Sequence, residues 1–288
     1  MCGIAGLLQP TRRVLARDEA MQLVQRMNTS IAHRGPDADG IWGDAAGRCF
    51  LGQRRLSIID TSDAGRQPFA SGDGRWMLTF NGEIYNFQDV RAELERAGVR
   101  FRGRTDTEVL VEAIAFWGVD ALSRLDGMYA FAAYDTRCGS LLMARDPFGE
   151  KPLYYSTLSS GALAFASELQ ALEHLPGFDA TLRVDAVAEV LSFQYIGAPR
   201  SIYTGTKKLP AGHWMRVGAD GSTQIQRYFQ FRPGTGGFTH RPIGDLADEL
   251  EELLTASLKR RLFADVPLGA FLSGGVDSST VAPSCAAS

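Results

Sequence analysis

The sequence lacks the features that mark several classes of protein. Basic residues show no excess, since 30 Lys and Arg stand against 33 Asp and Glu and the formal net charge is −3. That balance argues against a nucleic-acid partner. No apolar run approaches the roughly 20 residues that a membrane-spanning helix needs. The apolar start, residues 1–8, also lacks the positive segment and cleavage site of a secretory signal peptide. We therefore expect no membrane partner.

Cysteines are few and widely scattered. The four of them (Cys2, Cys49, Cys138 and Cys285) form no C-x-x-C pair. This usage argues against a disulfide framework and against a zinc site, and it fits a reducing compartment. We predict a cytoplasmic protein without a metal centre.

What is present is a globular composition, with 45% hydrophobic and 22% charged residues in a chain of 288. Such a length allows one large domain or two. Many short runs of β-forming residues and a few segments with helical spacing predict a layered α+β fold. The predicted strands are Ile4–Leu8, Trp76–Phe80, Met128–Asp135, Leu141–Arg145, Leu153–Ser156 and Ala162–Ala166. The predicted helices lie at residues 21–31, at Asp89–Ala97 and from Thr105 or Asp106 to Trp117.

The composition changes towards the C-terminal end. Residues 231–242 are rich in Gly and Pro, as is typical of a linker. After them, leucines at helical spacing predict an amphipathic helix over Ile243–Leu262, and the apolar run Val266–Leu272 predicts a short strand. We therefore divide the chain into a first domain, residues 1–230, the linker, and a second domain, residues 243–288.

Cys2 is a candidate nucleophile. Methionine aminopeptidase removes Met1 when the next side chain is small, and Cys2 then becomes the first residue. Its α-amine, with a reference pKa of about 7.7–8.0, could serve as the base for its own thiol, with a reference pKa of about 8.5. On its own, however, Cys2 is explained more simply as a small buried residue at the start of a strand.

Three further segments could complete such a site. Asn81-Gly82 forms either a two-residue hairpin turn or a pair of donors, one amide side chain and one backbone N–H, for an oxyanion. Arg54-Arg55 are either solvated strand residues or a site for a substrate carboxylate, which arginine holds bidentately. Thr105-Asp106 is either a helix cap or, together with Glu83, a source of the carboxylate that a substrate ammonium group needs.

These segments, with His33–Asp37 and Arg145–Tyr155, resemble glutamine-hydrolysing asparagine synthetase, in order and over nearly the whole chain. The resemblance implies a four-layer αββα glutaminase domain of the N-terminal-nucleophile class. It implies that Cys2 is the nucleophile and that Asn81 and Gly82 form the oxyanion hole. It further implies that glutamine is bound by Arg55 through its carboxylate, and by Glu83 and Asp106 through its amino group. The segments around His33 and Pro147 are interpreted as loops that shape the site.

Ser273–Ser278 is a Gly-rich segment that follows the predicted strand and should open a helix. Backbone N–H groups at such a junction bind phosphate, although a flexible turn is the alternative. The segment is not a Walker A motif, because Gly-Lys-Ser/Thr is absent. It resembles the pyrophosphate loop of the synthetase's α/β ATP-pyrophosphatase-type domain. The ATP-binding residues that this implies are Leu272, Ser273, Gly274, Gly275, Asp277 and Ser278.

The resemblance implies conversion of aspartate, ATP and glutamine to asparagine, AMP, pyrophosphate and glutamate. ATP and Mg²⁺ would be co-substrates, no cofactor would be bound permanently, and a homodimer is one option. Because the sequence stops well short of a full synthetase domain, we expect a truncated or frameshifted product with glutaminase activity only. Two alternatives stay open: an amidotransferase for another carboxylate acceptor, and a non-functional fragment. Glucosamine-6-phosphate synthase and the purine amidotransferase share the Cys-Gly-Ile start but would not carry the Ser273–Ser278 loop.

Overall fold

The computed structural model describes residues 1–9, 15–234 and 240–286, and the side chains of residues 283–286 lie outside this description. Part of the predicted linker, and the side chain of Cys285, therefore fall outside the described residues. The chain divides into two compact units, Met1–Gln230 and Phe231–Ser288.

The first unit contains two six-stranded sheets in which every pairing is antiparallel. Their strands are β1 Gly3–Leu8, β2 Ala38–Gly43, β3 Cys49–Arg55, β4 Phe69–Ala70, β5 Trp76–Ile84, β6 Gly127–Asp135, β7 Ser140–Arg145, β8 Tyr154–Thr157, β9 Leu163–Ala166, β10 Thr206–Lys208, β11 His213–Val217 and β12 Thr223–Arg227. One sheet has the order β10-β8-β9-β1-β3-β2, and the other has the order β12-β11-β7-β6-β5-β4. In this arrangement β1, which follows Cys2, lies inside its sheet between β9 and β3.

Five α-helices accompany these sheets in the described part of the first unit. They are α1 Arg17–Ser30, α2 Phe87–Arg96, α3 Asp106–Trp117, α4 Leu169–Glu173 and α5 Val184–Phe193. The second unit contributes α6 Ile243–Arg261 and α7 Val276–Ala286. No helix among the described residues is both long enough and apolar enough to cross a bilayer.

Side-chain alternation along the strands divides the hydrophobic residues among three cores. On β6, Ala130, Ala132 and Tyr134 contribute to the core between the two sheets. The intervening Tyr129 and Phe131 contribute to the core that contains residues of α2 and α3. Successive strand residues point to opposite faces, so one strand supplies both cores.

The strand β1 shows the same division in the other sheet. Ile4 and Leu8 belong to the core between the sheets, whereas Ala5 and Leu7 pack with residues of α1 and α4 in the third core. The layers are therefore helix, sheet, sheet and helix. The four-layer αββα fold expected from the sequence is confirmed.

Six of the seven predicted strands, and the four helices predicted from residue spacing, are present within a few residues of their predicted bounds. The strand predicted over Val266–Leu272 is absent, and the hairpin alternative for Asn81-Gly82 is excluded. Asn81-Gly82 does not form a turn, because β5 continues through it in unbroken register with β6. Val266–Leu272 does not form a strand, since a strand needs a neighbour for its backbone hydrogen bonds and residues 240–286 contain no other strand.

The three cores predict that the first unit folds without the second. Every member of these cores lies within residues 1–230, whereas α6 carries no buried residue. A chain that ends at Gln230 should therefore melt within about 2 °C of the full chain when unfolding is followed by circular dichroism.

The matched control is a chain that ends at Asp220. It lacks β12 and Tyr228, whose hydroxyl lies 2.8 Å from that of Tyr129 and donates to the Arg145 carbonyl at 2.7 Å. Loss of these bonds should lower the free energy of unfolding by roughly 2–4 kcal/mol. The melting temperature should therefore fall by several degrees. A non-cooperative transition for residues 1–230 would contradict this account.

Candidate active site

The sulfur of Cys2 is held by the backbone of Leu56, just beyond the end of β3. The Leu56 N–H donates to Sγ at 3.3 Å, and the thiol lies 3.5 Å from the Leu56 carbonyl oxygen. Burial raises the pKa of the Cys2 thiol, and the Leu56 hydrogen bond opposes that rise. The candidate nucleophile therefore has a sulfur that is held in place, and burial disfavours its thiolate form.

The carbonyl of Cys2 is held by Arg34, a residue to which the sequence analysis gave no chemical role. Arg34 Nε donates to that carbonyl at 2.8 Å, and Nη1 donates to Glu168 at 2.7 Å. The next strand residue is also tied, since the Ile4 N–H donates to Ser167 Oγ at 3.0 Å. The chain start is therefore positioned from its carbonyl side, and Met1 on its amino side lines the cleft.

A cleft of about 100 Å³ lies beside Cys2. It brings together all six residues that the sequence predicted for the glutaminase site. These are Cys2, Arg55, Asn81, Gly82, Glu83 and Asp106. They come from the start of β1, the end of β3, the end of β5 and the first turn of α3, so only the folded sheets can assemble them.

One edge of β5 presents hydrogen-bond donors to this cleft. Gly82 pairs in register with Tyr129, whose own N–H and carbonyl both bond to Asp146. The Gly82 N–H must therefore point away from β6, on the same side as the N–H groups of Phe80 and Ile84. Side chains occupy those two flanking groups: Gln67 Oε1 accepts from Phe80 at 2.7 Å and Asp106 Oδ2 accepts from Ile84 at 3.1 Å.

The Asn81 side chain adds a second donor. It is 1% exposed, and no group in the described part of the chain accepts a hydrogen bond from its Nδ2. Leaving a buried donor unpaired costs about 1–3 kcal/mol, which makes such a group a strong candidate for a functional role. Gly82 is also sterically required, because a Cβ there would lie 2.2 Å from the Met128 carbonyl oxygen.

Arg55 reaches the cleft from β3 and is fixed by the following loop. Its Nη1 donates to the Ser62 carbonyl at 2.9 Å, and its Nη2 donates to the carbonyls of Ile59, at 3.3 Å, and Asp60. Arg55 is 7% exposed. Backbone carbonyls therefore orient a buried cation beside the cleft, where it can bind an anionic ligand.

Two carboxyl groups share the cleft. Burial raises the pKa of Asp106 to about 7, and the nearby Glu83 adds to the effect. Burial also raises the pKa of Glu83, whereas the Lys151 ammonium opposes that rise. The predicted helix cap is present as well, since Thr105 accepts from the Glu108 N–H and so begins α3 at Asp106. Capping and placement of Asp106 in the cleft are therefore compatible.

Lys151 is the residue of this cleft that sequence reasoning missed. It lines the cleft and is 5% exposed. The segment around Pro147 was interpreted as a shaping loop because the mechanism demands none of its side chains, and a lysine within a loop motif gives no local sign of burial. Among the described residues, no group of three or more His, Cys, Asp or Glu side chains is arranged to hold a metal ion.

In the second unit, the Gly-rich loop precedes a helix, as the sequence predicted. Helix α7 begins at Val276, and Gly274 has a positive φ of 79°. The hydroxyl groups of Ser273 and Ser278 lie 2.9 Å apart, and Ser278 Oγ donates to the Gly275 carbonyl at 3.1 Å. The loop residues are largely exposed.

Comparisons with known proteins agree with this division of the chain. Residues 1–229 match the family described as "Glutamine amidotransferase domain", and residues 249–288 match the family described as "Asparagine synthase". A solved structure of glutamine phosphoribosylpyrophosphate amidotransferase from B. subtilis superposes with a TM-score of 0.57 and 21% identity. It covers 78% of this chain and 49% of that one, and at this identity the likeness concerns the fold.

Curated relatives match over nearly the whole chain. Glutamine-hydrolyzing asparagine synthetase 1 of Bacillus subtilis is 36% identical over 283 residues, which cover 98% of this chain and 43% of the relative. Asparagine synthetase 3 of the same organism is 32% identical over 98% of this chain and 44% of its own length. "Amidase chry2" of Gibberella zeae is 31% identical over 98% and 42%. The chain thus spans less than half the length of these relatives. It belongs to the glutamine amidotransferase domain family.

Proposed function

We propose that the first unit hydrolyses glutamine through Cys2 and that its ammonia serves a glutamine-dependent asparagine synthetase. One observation carries the proposal. A thiol, two oxyanion donors, one guanidinium and two carboxyl groups line a single cleft. Each corresponds to one demand of glutamine hydrolysis: attack, charge stabilisation, and binding of the substrate's carboxylate and ammonium groups.

The chemistry begins after removal of Met1. The free α-amine of Cys2 accepts the thiol proton, and the sulfur attacks the side-chain amide carbon of glutamine. The C=O π electrons move to oxygen, where Asn81 Nδ2 and the Gly82 N–H stabilise the negative charge. Collapse of the intermediate breaks the C–N bond, and the nitrogen leaves as ammonia with the proton from the α-ammonium group. A thioester remains, and water then attacks it to give glutamate and the free thiol.

The rest of the cleft selects and orients glutamine. Arg55 offers the positive charge of a guanidinium that loop carbonyls hold in place to the α-carboxylate. Glu83 and Asp106 offer carboxylates to the α-ammonium group. We assign these three residues to substrate binding and assign Cys2, Asn81 and Gly82 to the bond-breaking steps.

For the second unit we propose ATP binding at Leu272, Ser273, Gly274, Gly275, Asp277 and Ser278. The support is a Gly-rich turn directly before α7, where backbone N–H groups and the helix dipole favour phosphate. In the synthetase reaction ATP and Mg²⁺ would activate the acceptor aspartate for amidation by ammonia.

Amide transfer to another carboxylate acceptor is a second candidate function. A relative named as an amidase matches this chain over the same extent as the synthetases do. Glutamine hydrolysis is common to both candidates. Mass spectrometry of ATP-dependent products formed with aspartate, or with other carboxylic acids, separates them.

The nucleophile assignment predicts glutamine hydrolysis by the purified chain. Intact mass should show loss of Met1, and the chain should release glutamate and ammonia from glutamine. A glutamine analogue with an electrophilic side chain should label Cys2 and spare Cys49, which is fully buried, and Cys138, which is exposed. Full activity of Cys2→Ala, or label on another cysteine, would refute the assignment.

The oxyanion assignment predicts opposite effects at two buried asparagines. Asn81→Ala should lower kcat about 10²–10³-fold with little change in KM, because the oxyanion forms only along the reaction path. It should barely change stability, since Nδ2 has no partner to lose. Asn28→Ala should instead destabilise the fold by about 1–3 kcal/mol and spare kcat, because Asn28 lies outside the cleft and donates to the Gln53 carbonyl at 3.2 Å. Steady-state kinetics measure kcat and KM of the two variants, and urea unfolding measures their stability. Unchanged kcat in Asn81→Ala would remove the assignment.

The raised pKa of Asp106, about 7, predicts pH-dependent glutamine binding. An ammonium group binds the ionised carboxylate, so affinity should be highest near pH 8 and should fall as pH decreases through 7. The dissociation constant should rise about fivefold between pH 7 and pH 6. Calorimetry on Cys2→Ala isolates binding from titration of the nucleophile. The double variant Cys2→Ala with Asp106→Asn should bind glutamine more weakly, and its dissociation constant should not change between pH 7 and pH 6. A pH-independent dissociation constant in Cys2→Ala would show that Asp106 does not bind the ammonium group.

A further inference from the structure

The ammonium group of Lys151 lies in the cleft lining but takes no part in the proposed chemistry. The Lys151 side chain is 5% exposed, and its Nζ lies 3.4 Å from Met1 Sδ. It therefore faces the start of the chain. Burial lowers the pKa of Lys151, while the nearby Glu83 opposes the fall. A buried lysine is uncommon enough that its placement needs a physical reason.

The loop before Lys151 is built to hold this residue in place. Asp146 is fully buried, and its carboxylate accepts backbone N–H groups from both sides of the loop. The donors are Tyr129 at 3.2 Å, Phe148 at 3.0 Å, Glu150 at 2.9 Å and Lys151 at 2.9 Å. Arg145 clamps the other side by donating to the carbonyls of Gly149 at 2.6 Å and Lys151 at 2.7 Å. The N–H and the carbonyl of Lys151 are both fixed.

We propose that Lys151 is a positioning residue of the glutaminase site, whose ammonium group favours the neutral amine and ionised thiol that Cys2 needs for attack. The proposal rests on the proposed glutaminase function. Two observations support it. The Lys151 side chain lines the cleft beside the chain start, and hydrogen bonds to Asp146 and from Arg145 fix the backbone of Lys151.

The charges around the chain start explain why Lys151 is needed. The cations that face it are Arg34 and Lys151, on the side of the amine, and Arg55, on the side of the thiol, and the anions are Asp37, Glu83 and Asp106. Glu168 pairs with Arg34 at 2.7 Å and offsets its charge. Glu83 lies near Lys151 and offsets its charge only in part in the free enzyme, and glutamine's ammonium group would reduce that offset by binding Glu83. A positive charge disfavours protonation of the amine and favours ionisation of the thiol, so both effects act in the same direction.

The test compares Lys151→Met, which keeps length but removes charge, with Lys151→Arg and with Lys208→Met. Lys208 is a matched control: it is a partly buried lysine outside the cleft whose Nζ donates to the Ile196 carbonyl at 2.6 Å. The readouts are the pH profile of kcat/KM for glutamine and the pH profile of Cys2 alkylation by iodoacetamide, with loss of Met1 verified by intact mass. Lys151→Met should move the acidic limb of both profiles to higher pH by about 0.5–1 unit. Lys151→Arg should largely restore the limb, and Lys208→Met should leave it in place.

Other outcomes would overturn the inference. An unshifted limb in Lys151→Met, with a uniform fall in rate and stability, would make Lys151 a purely structural residue. A raised KM with unshifted profiles would make it a ligand of glutamine instead. If the unmodified chain released no glutamate, the proposed function would fail, yet the alkylation profile would still decide whether Lys151 tunes Cys2.

Discussion

A nucleophile at the first residue of a mature chain can be held by its backbone from one side only. The structure meets this constraint by fixing everything that follows Cys2. The strand β1 lies between β9 and β3, Arg34 binds the Cys2 carbonyl, and the Leu56 backbone holds Sγ. Because the sheets bury β1 on both faces, the start of the chain is as well supported as a core strand. After removal of Met1, the proposed α-amine base would therefore stand on the one side of Cys2 for which the described residues show no such hydrogen bond.

The same sheets assemble the donors that we propose for the developing negative charge. In β5, alternation places the N–H groups of Phe80, Gly82 and Ile84 on one edge, and the flanking two are occupied by side chains. Asn81 adds a buried Nδ2 without an acceptor. Asn81 Nδ2 therefore lies beside the proposed nucleophile without a protein acceptor in the described part of the chain. Preorganised donors of this kind need no rearrangement when charge forms, which is the physical basis of oxyanion stabilisation.

Much of this could be predicted from the sequence, because strand alternation, the Thr105 cap and the helical spacing of α1 are local patterns. The six cleft residues were named from motifs, and the structure places all of them together. Where prediction failed, the deciding contact was distant. The Asn-Gly pair favours a hairpin locally, but pairing with β6 extends the strand through it. Val266–Leu272 has strand composition without a sheet neighbour in the described second unit. Arg34 contacts Glu168 and Lys151 contacts Met1, in each case more than a hundred residues away in the sequence, which spacing cannot reveal.

The account depends on a glutamine-derived carbonyl oxygen forming between Asn81 and Gly82 while Arg55 holds the carboxylate. A crystal structure of the mature chain, after covalent reaction with a glutamine analogue that carries an electrophilic side chain, tests this geometry most directly. We predict a bond from Cys2 Sγ to the analogue, with the carbonyl oxygen within about 3.2 Å of both Asn81 Nδ2 and the Gly82 N–H. We also predict that the carboxylate contacts Arg55. An adduct on Cys2 whose oxygen points away from both donors would contradict the account.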